Sequence, residues 1–481
     1  MPSSGSGHHG LEMLPLRAVR HRPGYHWFVV GTVCIGAFMA ALDASIINIA
    51  LPALKQHFGV RMHVVEWVSL AYLLTLAGLV VPFARLADMM GRRWMYALGF
   101  TVFIIGSLLC GVAFTLWFLL IARVVQAVGA AMLQANSVAI ITAATPPDQR
   151  GRAIGFQASA QGVGLSLGPA IGGALLSFLN WRWIFFVNLP VGLAGTLLGV
   201  LLLPQDAKPA KRERFDFAGA ALLVPALVAL IYVLNMGLKE GWTSPAVVAS
   251  YAVLALAGTG FLLVERKIPF PIVDLRLFRK RTFTLGSLTG VLSFTVMYAV
   301  LLLIPFYLDN VMHMDSLRSG LYLTIVPIGM TLFTPVSGAL ADRYGTRMPT
   351  VLGMMAACAG SLCLSGLGAD LYRLLLVIGL FLVGLGIGVF TPPNNSSVMG
   401  SVPSDRLGVA GGILNMARTL GMGLGVTLGG LCYQLFLDLQ GVVDEKSAPA
   451  PAMVHAFHGA FLVTACVAAV TVLLSLARQG A

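Results

Sequence analysis

A chain of 481 residues with 58% hydrophobic and only 10% charged residues, and a mean hydropathy of +0.87, excludes a soluble globular protein and defines a polytopic membrane protein. The net charge of +12 does not signal nucleic acid, because the basic residues stand in short connections between apolar runs. Cys34, Cys110, Cys358, Cys363, Cys432 and Cys466 fall singly inside apolar runs, without the paired spacing of a zinc site or a disulfide framework, and read as small packing residues.

Residues 1–26, polar and rich in Gly, Ser, His and Arg, read as a disordered cytoplasmic tail. No cleavable signal is expected, since the first apolar run, 27–54, is too long for a signal h-region and has no small-residue cleavage site at its end. Runs near the roughly 20 residues needed to cross a bilayer follow at 64–84, 95–114, 116–142, 152–178, 183–203, 215–238, 245–264, 283–308, 317–340, 348–367, 371–391, 407–435 and 457–476. The expectation is an all-α protein with fourteen spans. With a cytoplasmic N-terminus, 22 of the 31 Lys and Arg fall in inside loops and 7 in outside loops, while Arg123 and Arg418 lie within spans. That asymmetry places both termini in the cytoplasm.

The chain repeats itself. An offset of 257 carries Pro146, Asp148, Gly151, Ala153 and Gly155 onto Pro403, Asp405, Gly408, Ala410 and Gly412. The same offset carries Ala160, Gly164, Gly168 and Gly172 onto Ala417, Gly421, Gly425 and Gly429. Small residues at spacing four share one helix face and let another backbone approach. An offset of 254 likewise relates ARLADMMGRR at 84–93 to GALADRYGTR at 338–347. Two six-span halves, 27–203 and 283–477, therefore flank an insertion, 204–282, that holds two additional spans between basic linkers; residues 478–481 read as a second cytoplasmic tail. Duplication among long apolar segments is the signature of a secondary transporter, with its path between the repeats.

Four motifs make the chain resemble a major facilitator superfamily transporter, and within it the fourteen-span drug:proton antiporters of the multidrug efflux type. They are LDASIINIALP at 42–52, LADMMGRR with its second copy LADRYGTR, RVVQAVGAA at 123–131 and GLSLGPAIGG at 164–173; WRWIFFVNLPVG at 181–192 is also typical of the group. The likeness runs from about Trp27 to Leu476. It departs at Ala84 and Ala127, where relatives usually carry Gly, and at Asp309, where they often carry Gln. The first two exchanges are small for small, whereas Asp309 bears on the outer vestibule.

Asp43 is the one carboxylate well inside an apolar run, and such a group is costly enough that function is the default reading. Burial penalises the charged form of a carboxylate, which suits a proton carrier. At about 1.5 Å per residue, Asp43 and Arg123 lie at similar depths, roughly 13 and 9 Å from the outer helix ends, so they can meet. The alternatives are a proton site tuned by Arg123, a packing ion pair, or an Arg123 that snorkels to the interface. The resemblance implies that Arg123 and Gln126 serve the proton path. It also implies that Gly164, Gly168, Pro169, Gly172 and Gly173 seal the path, and that Asp88, Gly91, Arg92, Arg93, Asp342 and Arg347 form a cytoplasmic gate. Pro169 removes a backbone donor and bends its helix. Tyr72, Asn394, Asn395, Arg418 and Asp309 are candidate cavity residues. Asn394 and Asn395, after Pro392 and Pro393, either line the cavity or cap a broken helix, and Arg418 meets either a substrate or backbone carbonyls.

No HExxH, GxSxG or Walker loop occurs, so neither an enzyme nor an ATP-driven pump is expected, and no metal or cofactor. The expectation is a proton-coupled antiporter that exports small lipophilic compounds, in a bacterial inner membrane, with a periplasmic adaptor protein as a candidate partner. The alternative is an exporter of one native metabolite, siderophore or lipid.

Overall fold

The structure is a computed structural model that describes residues 19, 22–146, 149–204, 216–268, 271, 273, 275–368, 372–402, 407–442 and 448–478. Most of the expected tails, the linker around Lys208 and Arg214, and the side chains of Asp88 and Asp342 lie outside the described residues. Among the described residues, fourteen helices are long and apolar enough to cross a membrane. In chain order they are α1 Tyr25–Phe58, α2 Trp67–Met90, α3 Arg92–Gly111, α4 Leu116–Ala144, α5 Arg150–Phe178, α6 Asn188–Leu202, α7 Phe217–Glu240, α8 Pro245–Lys267, α9 Arg281–Asn310, α10 Ser316–Tyr344, α11 Arg347–Ser365, α12 Arg373–Gly400, α13 Leu407–Asp438 and α14 Ala450–Leu476. Four-residue turns, Met62–Val65 and Trp183–Phe186, lead into α2 and α6.

At the starts of α4, α7, α8 and α10 a side chain replaces a missing intrahelical acceptor. Thr115 caps α4 by accepting from the Phe118 N–H at 3.2 Å, and Asp315 caps α10 by accepting from the Arg318 N–H at 2.9 Å. The turns that the duplication pairs, α2 to α3 and α10 to α11, pivot on Gly91 at φ 105° and Gly345 at φ 78°, a region that favours glycine. Large apolar side chains such as Phe114, Trp117, Phe178, Leu256 and Leu374 point outward. In water such a surface would aggregate, but in a bilayer it faces solvent of its own kind.

Packing repeats the duplication helix by helix. α1 lies on α5 as α9 lies on α13, α3 on α4 as α11 on α12, α2 on α4 as α10 on α12, and α3 on α6 as α11 on α14. The halves join along two seams, α5 against α10 and α2 against α13, which are again equivalent. α9 is the most enclosed, with 89% of its apolar window buried, followed by α1 and α2 at 78% each. α7 and α8 pair with each other, and α7 closes over the α2–α13 seam. Leu223 of α7 and Phe261 of α8 share a core with Val80, Val81, Phe283 and Ile413, so the insertion is packed into the bundle.

An even number of spans puts Tyr25 and Leu476 on one face, the termini face, and the α1–α2 and α9–α10 connections on the far face. Arg93 donates to the Val200 carbonyl of α6, and Arg347 donates to the Leu476 carbonyl of α14 at 2.5 Å. These two arginines, equivalent under the 254 offset, each hold the carbonyl end of the last helix of their own half. Arg478 does not trail off as a tail residue. It is 4% exposed and donates through Nη1 to Asn394 Oδ1 at 2.7 Å; burial lowers its guanidinium to about 10, so it remains charged near neutral pH.

Candidate functional site

Asp43, midway along α1, is fully buried. Arg123 of α4 donates through Nη1 to Asp43 Oδ2 at 2.7 Å and to Gln126 Oε1 at 2.6 Å, and through Nε to the Val68 carbonyl of α2 at 3.0 Å. Gln126 Nε2 donates to Asp43 Oδ1 and to Ser107 Oγ of α3, both at 2.8 Å. Asn188 Nδ2, at the start of α6, donates to Asp43 Oδ1 at 3.0 Å. One carboxylate thus gathers donors from α4 and α6, while its arginine reaches α2.

The local sequence permits this convergence. Arg123 and Gln126 are three apart and share a helix face. Gly106 lets α3 lie directly on the Gln126 backbone, where a Cβ would come within 2.7 Å of the Gln126 Cβ. The Arg123 guanidinium stands 4.3 Å from the Tyr72 ring centroid and 5.8 Å from that of Phe185, aromatic faces that favour a cation. A buried ion pair is held only when further hydrogen bonds offset desolvation, and here Val68, Gln126 and Asn188 supply them, while Arg123 Nη2 has no partner among the described residues. Arg123 is fully buried, so it does not snorkel to an interface.

The other sequence candidates fall into separate places. Tyr72 joins the Asp43 cluster and is fully buried, its hydroxyl without a hydrogen-bond partner among the described residues. Asp309, at the far end of α9, accepts from Gln56 Nε2 of α1 at 3.4 Å and so bridges the halves. Asn394 is buried: it donates to the Gly286 carbonyl of α9 at 3.0 Å and accepts from Arg478, while Asn395 is exposed. Neither caps a broken helix, because α12 runs on to Gly400. Arg418 Nη1 donates to Gln161 Oε1 of α5 at 3.4 Å, with its guanidinium 5.6 Å from the Phe294 ring centroid. Arg92 begins α3 and is partly exposed.

The Gly164–Gly173 stretch works by backbone approach. A Cβ at Gly164 would meet Ala41 of α1 at 3.1 Å, one at Gly168 would meet the Ile46 N–H at 3.0 Å, and one at Gly172 would meet Ile49 at 2.6 Å. In the second half, Gly421 and Gly425 press on Phe294 and Ala299 of α9 in the same way. Pro169 lacks the N–H that would bond the Leu165 carbonyl, and Ser45 Oγ of α1 donates there instead, at 3.0 Å. Pro393 frees the Val389 carbonyl, and Ser337 of α10 donates to it. Ser45→Ala leaves a buried carbonyl unpaired and is expected to cost about 1–3 kcal/mol. A fall in the unfolding temperature of the purified protein, with Ser45→Thr close to wild type, checks this.

Three groups escaped the sequence reading. Asn188 falls within the WRWIFFVNLPVG motif, but as a single neutral amide in an apolar run it carries no sign of a contact with Asp43. Ser107 and Cys110, whose Sγ lies 3.7 Å from Gln126 Oε1, look like small packing residues. Glu66 is fully buried at the far end of the α2 segment, against Gly430 of α13, a second buried carboxylate beside the expected Asp43.

Two related six-helix halves that meet along helix seams, with a buried ion pair inside the first, have the architecture of a membrane transporter. The chain belongs to the major facilitator superfamily, whose sequence model matches residues 33–426, and is of the drug-efflux type. It is 34% identical over 401 residues to the riboflavin transporter RibZ of Clostridioides difficile, covering 83% of this chain and 86% of that one. It is 33% identical over 424 residues to the multidrug resistance protein Stp of Mycobacterium tuberculosis, covering 88% of this chain and 78% of that one. A bacterial homologue of the human lysosomal transporter Spinster, in an inward-facing and unoccupied conformation, shares the fold with a TM-score of 0.68 at 17% identity, over 95% of this chain and 97% of that one.

Proposed function

We propose that the protein is a proton-coupled antiporter that exports small lipophilic compounds by alternating access, with its termini in the cytoplasm of a bacterium and Asp43 as the proton site. The observation that carries this reading is the fully buried Asp43 carboxylate, held by Arg123, Gln126 and Asn188 and by no other described group. A proton on Asp43 removes the charge that holds Arg123, which keeps Val68 and Gln126 as acceptors. α1 is then released from α4 and α6. Because α1 also carries the face against α5 and the Gln56 bridge to Asp309, a change at Asp43 reaches the contact between the halves. Each inward proton yields about 1.4 kcal/mol per pH unit and about 2.3 kcal/mol per 100 mV. Exchange for a neutral compound moves one positive charge inward and draws on both.

The test uses proteoliposomes with an imposed inward proton gradient and a pH-reporting dye, to which lipophilic cations, neutral drugs and anions are added in turn. Substrate-dependent proton movement is expected; proton flux that no compound alters would overturn the reading. The kinship with a protein named riboflavin transporter supports a second reading, export of one native compound, and a response to a single compound out of many would select it.

A further inference from the structure

At mid-depth the halves meet through two residues that the duplication makes equivalent. Gln161 and Arg418 are 257 apart, the offset that relates α5 to α13, and each stands eleven residues into its helix. Residues related by an internal two-fold touch only near its axis, so this contact marks the axis and the centre of the path. The hydrogen bond to Gln161 occupies one of the five N–H donors of Arg418. One helical turn beyond Phe294, Tyr298 is fully buried, its hydroxyl has no hydrogen-bond partner among the described residues, and it lies within electrostatic reach of Arg418. Just beyond, the Ser166 and Thr331 hydroxyls face each other across the α5–α10 seam at 3.5 Å. The adjoining gap between Leu165 and Pro169 of α5, Met297 and Leu301 of α9 and Met330 of α10 is almost closed in this structure, with about 10 Å³ free. Methionines make such a wall adaptable.

Around Arg418 the charge balance is one-sided, for Glu66 lies against Gly430, twelve residues further along α13, and Asp309 at the far end of α9. Asp43 and Arg123 cancel each other, whereas no acidic residue among those described pairs with Arg418. A cation in a low-dielectric path repels cations and favours acceptors and anions.

We propose that Arg418, with Tyr298 and Gln161, is the recognition site for the transported compound, and that this compound is neutral or anionic and carries a carboxylate or carbonyl acceptor. It is not a lipophilic cation. The inference rests on the export reading for its location in the transport path, but its test does not depend on proton coupling. The guanidinium fixes the acceptor, the Tyr298 hydroxyl donates a second hydrogen bond, and the methionine-lined gap takes the apolar remainder once the halves part there.

Fluorescence polarisation on the full-length purified protein, with pyrenecarboxylate, riboflavin and ethidium as anionic, neutral and cationic probes, provides the test. Wild type is expected to bind the first two more tightly than ethidium. Arg418→Gln should weaken pyrenecarboxylate binding about tenfold or more, the size of a lost charge-assisted hydrogen bond, and leave ethidium binding unchanged or tighter. Arg418→Lys should recover most of the carboxylate binding, which a purely structural role at the seam would not produce. Tyr298→Phe, which removes one oxygen, should weaken both acceptor probes severalfold. Tighter binding of ethidium than of the carboxylate by wild type, or undiminished carboxylate binding by Arg418→Gln, would overturn the proposal. Antiport can fail in the proton assay while these binding results still decide the role of Arg418.

Discussion

Asp43→Asn is expected to reduce substrate-driven proton movement in proteoliposomes to the level of empty liposomes, while the protein still inserts and folds. The amide keeps the carboxylate's shape, and its oxygen can still accept from Arg123 Nη1. Arg123 retains the Val68 and Gln126 acceptors, but the amide Nδ2 cannot accept from Gln126 and Asn188 as Oδ1 does, so the cluster loses a charge and two hydrogen bonds while its arginine stays in place. What disappears is the group whose protonation changes the charge. A facilitator without it can only equilibrate its substrate, whereas a coupled wild type working on one pH unit can concentrate a neutral compound about tenfold. Arg123→Leu is the informative contrast. It strands a buried carboxylate on two neutral donors, and breaking a buried pair from one side costs about 3–5 kcal/mol, so this variant should lose stability as well as coupling. Retained pH-driven efflux in Asp43→Asn would remove Asp43 from the proton path.

Much of this arrangement was legible in the sequence, for physical reasons. Bilayer thickness sets helix length, so the fourteen spans follow from apolar run length. The two halves follow from the 254 and 257 offsets, and the meeting of Asp43 with Arg123 follows from depth along two helices. The partners were not legible. Asn188 and Ser107 reach the carboxylate cluster because α6 and α3 happen to present them there, a matter of helix rotation that apolar periodicity does not encode in spans buried on several sides. The end of α12 was misplaced at Thr391 because a Pro-Pro pair reads as a stop. A seryl hydroxyl on another helix takes up the carbonyl that Pro393 frees, and the helix continues. Arg478 was counted as a tail residue since nothing local says that a charge after the last span folds back onto Asn394.

Gly320→Val is expected to abolish sealing at the far face without unfolding either half. Gly320 of α10 lies on the Pro169 carbonyl of α5, where an added Cβ would also come within 3.2 Å of the Gly173 Cα; a Cβ on Gly173 would reach the Leu317 Cα at 3.1 Å. The two backbones touch with no side chain between them, and backbone cannot yield as a flexible side chain can. Each half holds itself together elsewhere. α5 rests on α1 through Gly164, Gly168 and Gly172, and α10 rests on α12 through Gly329, whose own Cβ would be 2.9 Å from the Leu385 N–H. Overpacking costs about 1–3 kcal/mol, here levied on the closed seam alone, which shifts the closed population roughly 5–150-fold. A disulfide between cysteines placed at Gln56 and Asp309, in a background stripped of the six native cysteines, reports the seam directly. Its formation should slow severalfold in Gly320→Val, and transport should fall with it, while the unfolding temperature holds. Gly168→Val falls inside a half and should do the reverse, lowering the unfolding temperature because its side chain drives into Ser45 and the α1 backbone. If the two variants behave alike, the glycine row serves packing only; if they part as described, the row facing α1 builds the half and the Gly173–Gly320 crossing is the moving closure.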